Sequence, residues 1–250
     1  MSATEAPARA GLGLRLSTLL LAPALLWQGR QVRRRTPRLA EPPGAREGAA
    51  GSGPPLRLLI LGDSAAAGVG AAGQDEALSG RLVAALATRA SVRWRLRART
   101  GDSAGAVLRA LQQTQQTDEA LHCDVVLLSV GVNDATALRD PAVFAQRAEA
   151  IADWLREHAG ARLIVFSGLP PMGRFPALPQ PLRWRLGRQA DLLDAQLRAL
   201  ARHRADCAHL PFGNLDDPAL MASDGFHPGP AAYAHWAQAA ATLIQSRMAG

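Results

Sequence analysis

Three short apolar runs, LRLLIL at 56–61, DVVLLSV at 124–130 and RLIVFS at 162–167, constrain this chain more than any other feature. None alternates strictly between apolar and polar residues, so each is expected to be a strand covered on both faces, as in a parallel sheet. VRWRLRA at 92–98 does alternate, which suits a strand nearer an edge, and a fifth strand is expected at 206–211. Helical segments fall between them at 79–90, 104–120, 141–158 and 182–204, with a last one from about 230 to 247. Asp140 before Pro141 reads as an N-cap followed by proline at the first helical position. Strands alternating with helices predict an α/β fold, a doubly wound parallel sheet of five strands, and 2-1-3-4-5 is the strand order considered below.

Charge is unevenly placed. The formal net charge is +7, but residues 1–50 hold eight arginines against Glu5, Glu41 and Glu47, and the other 200 residues are close to neutral. Nucleic-acid binding by the folded part is therefore disfavoured; only the arginine-rich start leaves it open. Lysine is absent, a bias that reads as a coding preference and not as a choice of phosphate ligand. Cys123 and Cys207 each open an apolar run, as buried free thiols do. With no C-x-x-C spacing, neither zinc nor redox chemistry is expected, and no metal or cofactor is implied.

Residues 1–55 are expected to lie outside the main domain, 56–250. Within them, 12–28 (LGLRLSTLLLAPALLWQ) is apolar, interrupted by Arg15 and Pro23 and followed by arginines at 30, 33, 34, 35 and 38. The part after Arg15, Leu16 to Trp27, is 12 residues, against roughly 20 needed to span a bilayer. Two readings compete. One is an interfacial anchor over residues 12–38 whose arginines meet anionic headgroups on the cytoplasmic side; the other is a helix laid on the domain's own surface. Residues 40–55 (AEPPGAREGAAGSGPP) read as a linker.

In open α/β sheets, ligands sit beyond the carboxyl ends of the strands, where the strand order reverses. Gly62-Asp63-Ser64 follows the first strand, Thr100-Gly101-Asp102 the second and GVND (131–134) the third. With the first strand between the second and third, Ser64, Gly101 and Asn133 converge on one rim. This separates the two Gly-Asp-Ser triplets. Ser64 ends the central strand and is placed to be a nucleophile, whereas Ser103 suits the N-cap of the helix from Ala104. Asp63 is expected to shape the turn, and Asp102 to support its own.

Acyl transfer needs a nucleophile, a base, a group that orients the base, and donors aimed at the oxyanion. The backbone N–H of Ser64, the N–H of Gly101 and the carboxamide of Asn133 are candidate oxyanion donors. Asp224 and His227, three apart in DGFHP just before the last helix, supply a base and the carboxylate that fixes its tautomer. The other histidines, 122, 158, 203, 209 and 235, have no comparable acidic partner and are expected at surface or edge positions. Met172, Phe175 and Leu178, in the apolar loop over 168–182, are candidates for the wall of an acyl pocket.

LGDS with Ser64, Gly101, GVND with Asn133, and DGFHP with Asp224 and His227 occur in this order, and together they resemble the SGNH (GDSL-type) hydrolases. The resemblance covers about residues 56–245. It implies a flavodoxin-like three-layer α/β/α sandwich with esterase, lipase, thioesterase or carbohydrate-deacetylase activity, acting on acyl esters without a metal. The leucine frequent in the family's first block is Ala65 here, which weakens that block. An α/β-hydrolase would share the order Ser…Asp…His, but its G-x-S-x-G elbow is not met, since residue 66 is alanine. A flavodoxin-like binding module could instead cradle a phosphate on GDSAAAGVGAAG, which leaves DGFHP and Asn133 unexplained.

Overall fold

The computed structural model describes residues 11–114, 121–213 and 217–248. Six strands form one sheet: β1 (Glu47–Ala50), β2 (Pro55–Gly62), β3 (Ser91–Ala98), β4 (Val125–Ser129), β5 (Leu163–Ser167) and β6 (Cys207–Leu210). Their order is β1-β3-β2-β4-β5-β6. From β3 to β6 every pairing is parallel, with β2 between β3 and β4. The five parallel strands thus take the order 2-1-3-4-5 considered above.

The helices are α1 (Leu12–Arg35), α2 (Leu78–Ala87), α3 (Ala104–Thr114), α4 (Val132–Thr136), α5 (Pro141–Ala159), α6 (Leu182–His203) and α7 (Pro230–Met248). They cover both faces of the sheet, giving three layers. Along β2, Leu58 and Ile60 point into the core that holds residues of α2 and α7, while Leu59 and Leu61 point into the core shared with α3, α5 and α6. Both faces of β2 are buried, which is why its sequence shows no alternation. β3 alternates as expected: Val92, Trp94, Leu96 and Ala98 are buried, and the arginines between them are not. At the start of α5, Asp140 caps the helix by accepting from the Ala142 N–H at 2.8 Å, and Gly160 ends it in the left-handed conformation. The two free cysteines are buried, Cys207 as the first residue of β6 and Cys123 two residues before β4.

Several expectations need correction. The sheet has six strands, because Glu47–Ala50, in the stretch read as a linker, pairs antiparallel with β3. Edge pairing of this kind rests on backbone hydrogen bonds that any sequence offers, and EGAA carries no apolar signal. Its register sets Glu47 opposite Arg95, with an ion pair at 3.2 Å. Nearby, Glu41 accepts from the Thr100 N–H at 2.7 Å, the Thr100 hydroxyl at 2.9 Å and Arg46 at 2.9 Å. Burial raises the Glu41 carboxyl's pKa, but these donors more than offset it and hold it below the usual range. The apolar stretch 12–28 and the arginines up to Arg35 form one helix, α1, arginine being a good helix former. It lies on α6: Leu25 joins the core, Gln28 bonds the backbone of Gln180 and Leu182, and Thr18 accepts from Arg185. The helix expected over 104–120 is observed to Thr114, and its end at 115–120 lies outside the described residues.

One glycine places the end of the central strand. Gly62 has φ +153°, and a Cβ there would lie 2.1 Å from the Ser129 carbonyl oxygen of β4. Gly62→Ala is expected to lower stability by more than about 2 kcal/mol, since backbone must move to admit the methyl group. Urea denaturation followed by circular dichroism measures this, and an unchanged midpoint would refute the close approach.

Candidate active site

β2 delivers Ser64 to the rim two residues after Gly62. The turn that follows is closed by backbone bonds from Ala67 to Asp63 (2.9 Å) and from Val69 to Ser64 (3.0 Å). The Asp63 carboxylate accepts from the Ala65 N–H at 3.1 Å, so Asp63 shapes the turn as expected. The glycine-rich stretch after Ser64 runs as turns, and α2 begins only at Leu78. Hence Ser64 does not sit at a helix N-terminus of the kind that would cradle a phosphate.

The loop before α7 brings in the other two groups. Asp224 folds back on its own segment, its Oδ1 accepting from the N–H of Phe226 at 2.9 Å and of His227 at 3.0 Å. That local turn aims its Oδ2 at His227 Nδ1, 2.6 Å away. His227 Nε2 then lies 2.9 Å from Ser64 Oγ. The three side chains form one hydrogen-bonded line across 163 residues of chain. Burial works against the Asp224 charge, yet the His227 ring and these two amides hold its carboxyl below the usual carboxylate range. The loops meet closely: a Cβ on Gly70 would be 2.3 Å from the Pro228 carbonyl oxygen. Behind them, the Tyr233 hydroxyl of α7 donates to the Val69 carbonyl at 2.7 Å.

Gly101 follows the end of β3, and Asn133 follows the end of β4. Gly101 has φ +89°, and a Cβ added there would meet nothing within 4 Å, so conformation rather than crowding favours glycine. Asn133, in the first turn of α4, donates from Nδ2 to the Asp102 carbonyl at 3.0 Å, tying its loop to that of Gly101. The Ser103 hydroxyl accepts from the Ala106 N–H at 3.3 Å, a capping contact within α3's first turn. Asp102 pairs with Arg99 at 2.9 Å.

Beside Ser64 and His227 is an apolar cavity of about 30 Å³ walled by Val132, Pro170, Phe175, Phe212 and Phe226. Of the three residues expected in its wall, Phe175 is there. Met172 and Leu178 are instead buried in the core shared with α6. Met172 is carried inward by a short 3-10 turn, Met172–Arg174, that packs against α6. Phe212 and Phe226 also line the cavity, and neither is marked out by its sequence surroundings. Phe226 stands beside His227 in DGFHP, but nothing local says which way its ring faces.

Two polar contacts were also illegible. Fully buried Asp134 accepts from the Ala104 N–H at 2.8 Å, closing the start of α3 from 30 residues away. Burial raises its carboxyl's pKa, against that N–H and the nearby Arg139 and Arg147. His209 does lie at an edge position, on the outermost strand β6, but its ring is mostly buried against an acidic partner the spacing did not show, Asp194 at 2.8 Å. Asp194 lies on α6 and also accepts from the Leu169 N–H at 3.0 Å, steadying the loop that leads to Pro170 and Phe175.

The GDSL-like lipase/acylhydrolase family matches residues 60–235, a span that holds Ser64, Gly101, Asn133, Asp224 and His227. The chain belongs to this family. A GDSL-like esterase, Rv1075c of Mycobacterium tuberculosis, is 30% identical over 191 residues, covering 72% of this chain and 58% of that protein. The chain thus spans a little over half the length of that curated relative. Among solved structures, the psychrotrophic esterase EstA from Pseudoalteromonas superposes with a TM-score of 0.59 at 19% identity, over 78% of this chain and 99% of the other. A carbohydrate esterase family 2 enzyme of Corynascus thermopiles superposes at 0.61 with 15% identity, over 83% and 69%. At such identities the likeness shows the fold, the three-layer α/β/α arrangement of this family.

Asp63 offers a check on the electrostatics of the site. Burial pushes its carboxyl up to about 7, against the Ala65 N–H and neighbouring His227, which lower it. An unfolded aspartate titrates near about 4. Between these values the folded chain holds the extra proton, so stability falls as pH rises from about 4 to about 7 and levels off above. Asp63→Asn keeps an acceptor for Ala65 but removes the titration. Its urea midpoint is expected to exceed that of the unaltered protein at about pH 8 by more than at about pH 5. A pH-independent difference would refute the assignment.

Proposed function

We propose that this chain is a serine hydrolase that cleaves carboxylic esters of short acyl groups through an acyl-enzyme intermediate. The observation that carries this reading is the line from Asp224 Oδ2 through His227 to Ser64 Oγ, with steps of 2.6 and 2.9 Å. His227 Nε2 takes the Ser64 proton as Oγ attacks the ester carbonyl carbon, and Asp224 stabilises the imidazolium. The tetrahedral oxyanion is met by the N–H groups of Ser64 and Gly101 and by the second N–H of the Asn133 carboxamide. Its collapse breaks the ester C–O bond, and the alcohol leaves with the proton carried by His227. Water, deprotonated by His227, then attacks the acyl-enzyme and releases the acid, returning the proton to Ser64. Each oxygen and proton is accounted for without a cofactor.

The cavity supports the limit on acyl size. About 30 Å³ between Val132, Phe175, Phe212 and Phe226 is room for a water or two or a short alkyl group, not for a long chain. An acetylated carbohydrate is a second reading that the same cavity favours, because an acetyl methyl would fill it.

A fluorophosphonate probe is expected to label the protein, with labelling lost in Ser64→Ala and His227→Ala while both variants stay folded. Labelling that persists in Ser64→Ala would refute the nucleophile assignment. Asn133→Ala should lower kcat by about 10²–10³ with a smaller change in KM, as for a lost oxyanion donor. In a p-nitrophenyl ester series, acetyl and butyryl esters should be turned over faster than decanoyl and longer ones. The reverse order would overturn the short-acyl reading, and a preference for acetylated sugars over both would select the carbohydrate substrate.

A further inference from the structure

We propose that α1 is a membrane-interface helix that seats the protein on anionic lipid. Its inner face docks on the domain through Leu25, which joins the core, with Leu21 and Val32 packed against it. The outer face is also apolar. Leu12, Leu16, Leu19, Leu20, Leu26 and Trp27 recur at helical spacing and are between 52% and 83% exposed. A helix apolar on both faces belongs where both are covered, and the domain covers only one. Contiguous exposed ridges of this kind mark interaction surfaces.

The charge next to the ridge identifies the occupant. Arg30, Arg33, Arg34, Arg35 and Arg38, all exposed, follow it, and residues 6–40 contain no acidic residue. A second copy seated ridge to ridge would bring no acid from its own α1 to meet these arginines. Anionic phosphate headgroups meet them, and the acyl region beneath takes leucine and tryptophan side chains. No helix among the described residues is long and apolar enough to cross a membrane. The charge-free stretch from Leu16 to Trp27, 12 residues, reaches only about 18 Å as a helix, against roughly 30 Å of hydrocarbon. Lying in the interface is the arrangement left.

The contacts under α1 fit such a role. Arg185 of α6 is 6% exposed and its guanidinium is met by Thr18 of α1 at 2.7 Å and Gln189 at 3.0 Å, two neutral partners. At the far end, Gln31, Arg35 and Thr36 share a groove with Pro176, Leu178 and Asp224. The loop 176–179 in that groove directly follows Phe175, a wall of the cavity. Lipid held by α1 is therefore held beside the loop that borders the site.

The test is cosedimentation of the full-length protein with vesicles of phosphatidylcholine alone or mixed with phosphatidylglycerol. Binding is expected only to the mixed vesicles and should weaken with salt. Leu19→Ser with Leu20→Ser should abolish it, and Arg33→Ala with Arg34→Ala should weaken it on the order of 30-fold, with circular dichroism unchanged in both. Failure to bind mixed vesicles, equal binding to phosphatidylcholine alone, or variants that bind like the parent would each overturn the proposal. So would light scattering that shows a dimer dissociated by the leucine substitutions, which would make the ridge a self-interface. None of these readouts depends on ester hydrolysis, so they stand or fall separately from the catalytic assignment.

Discussion

The parallel register around β2 is the constraint on which the rest depends. Gly62, at its end, lies level with Ala98 of β3 and Ser129 of β4. Three chain segments therefore leave the sheet at one height, two to four residues before Ser64, Gly101 and Asn133. A parallel ladder with both faces buried gives this register little freedom, because a one-residue slip would turn Leu59 and Leu61 into the opposite core. The backbone approach of Gly62 to Ser129 draws the two strand ends closer than a side chain would permit.

What the strands bring near, a set of off-sheet contacts holds still. Asp224 is oriented by amides of its own turn, so the carboxylate that meets the His227 ring is held in direction by local backbone bonds. Gly70 lets the loop after Ser64 touch the loop that carries His227, and Tyr233 ties the Ser64 loop to α7. On the opposite side Asp134 closes the start of α3, and Glu41 holds Thr100, next to Gly101. Placing Asp63, Asp134 and Asp224 in buried surroundings is unfavourable for three carboxylates. It is tolerated because each accepts from at least one backbone N–H.

The segment before the sheet divides into two physical regimes. Residues 41–50 are part of the fold, tied by Glu41 to the β3 loop and by β1 to the sheet edge. α1 shares one face with the domain and leaves leucines on the other. That imbalance, with arginines gathered at one end, sets α1 apart from α5 and α6, whose apolar faces turn to the core.

The five parallel strands, the capped start at Asp140 and the candidates Ser64, His227 and Asp224, which the fold brings into one hydrogen-bonded line, were legible in the sequence. Each rests on periodicity or on spacing within a few residues, and such local patterns survive without a partner in view. Tertiary structure alone decided that Glu47–Ala50 joins the sheet, that Phe212 and Phe226 wall the cavity while Met172 and Leu178 do not, and that Asp134 and His209 find partners at Ala104 and Asp194. Those outcomes depend on which backbone edge is vacant and which side chains meet across the fold. They are settled by packing in space between residues distant along the chain, and a linear pattern holds no record of it.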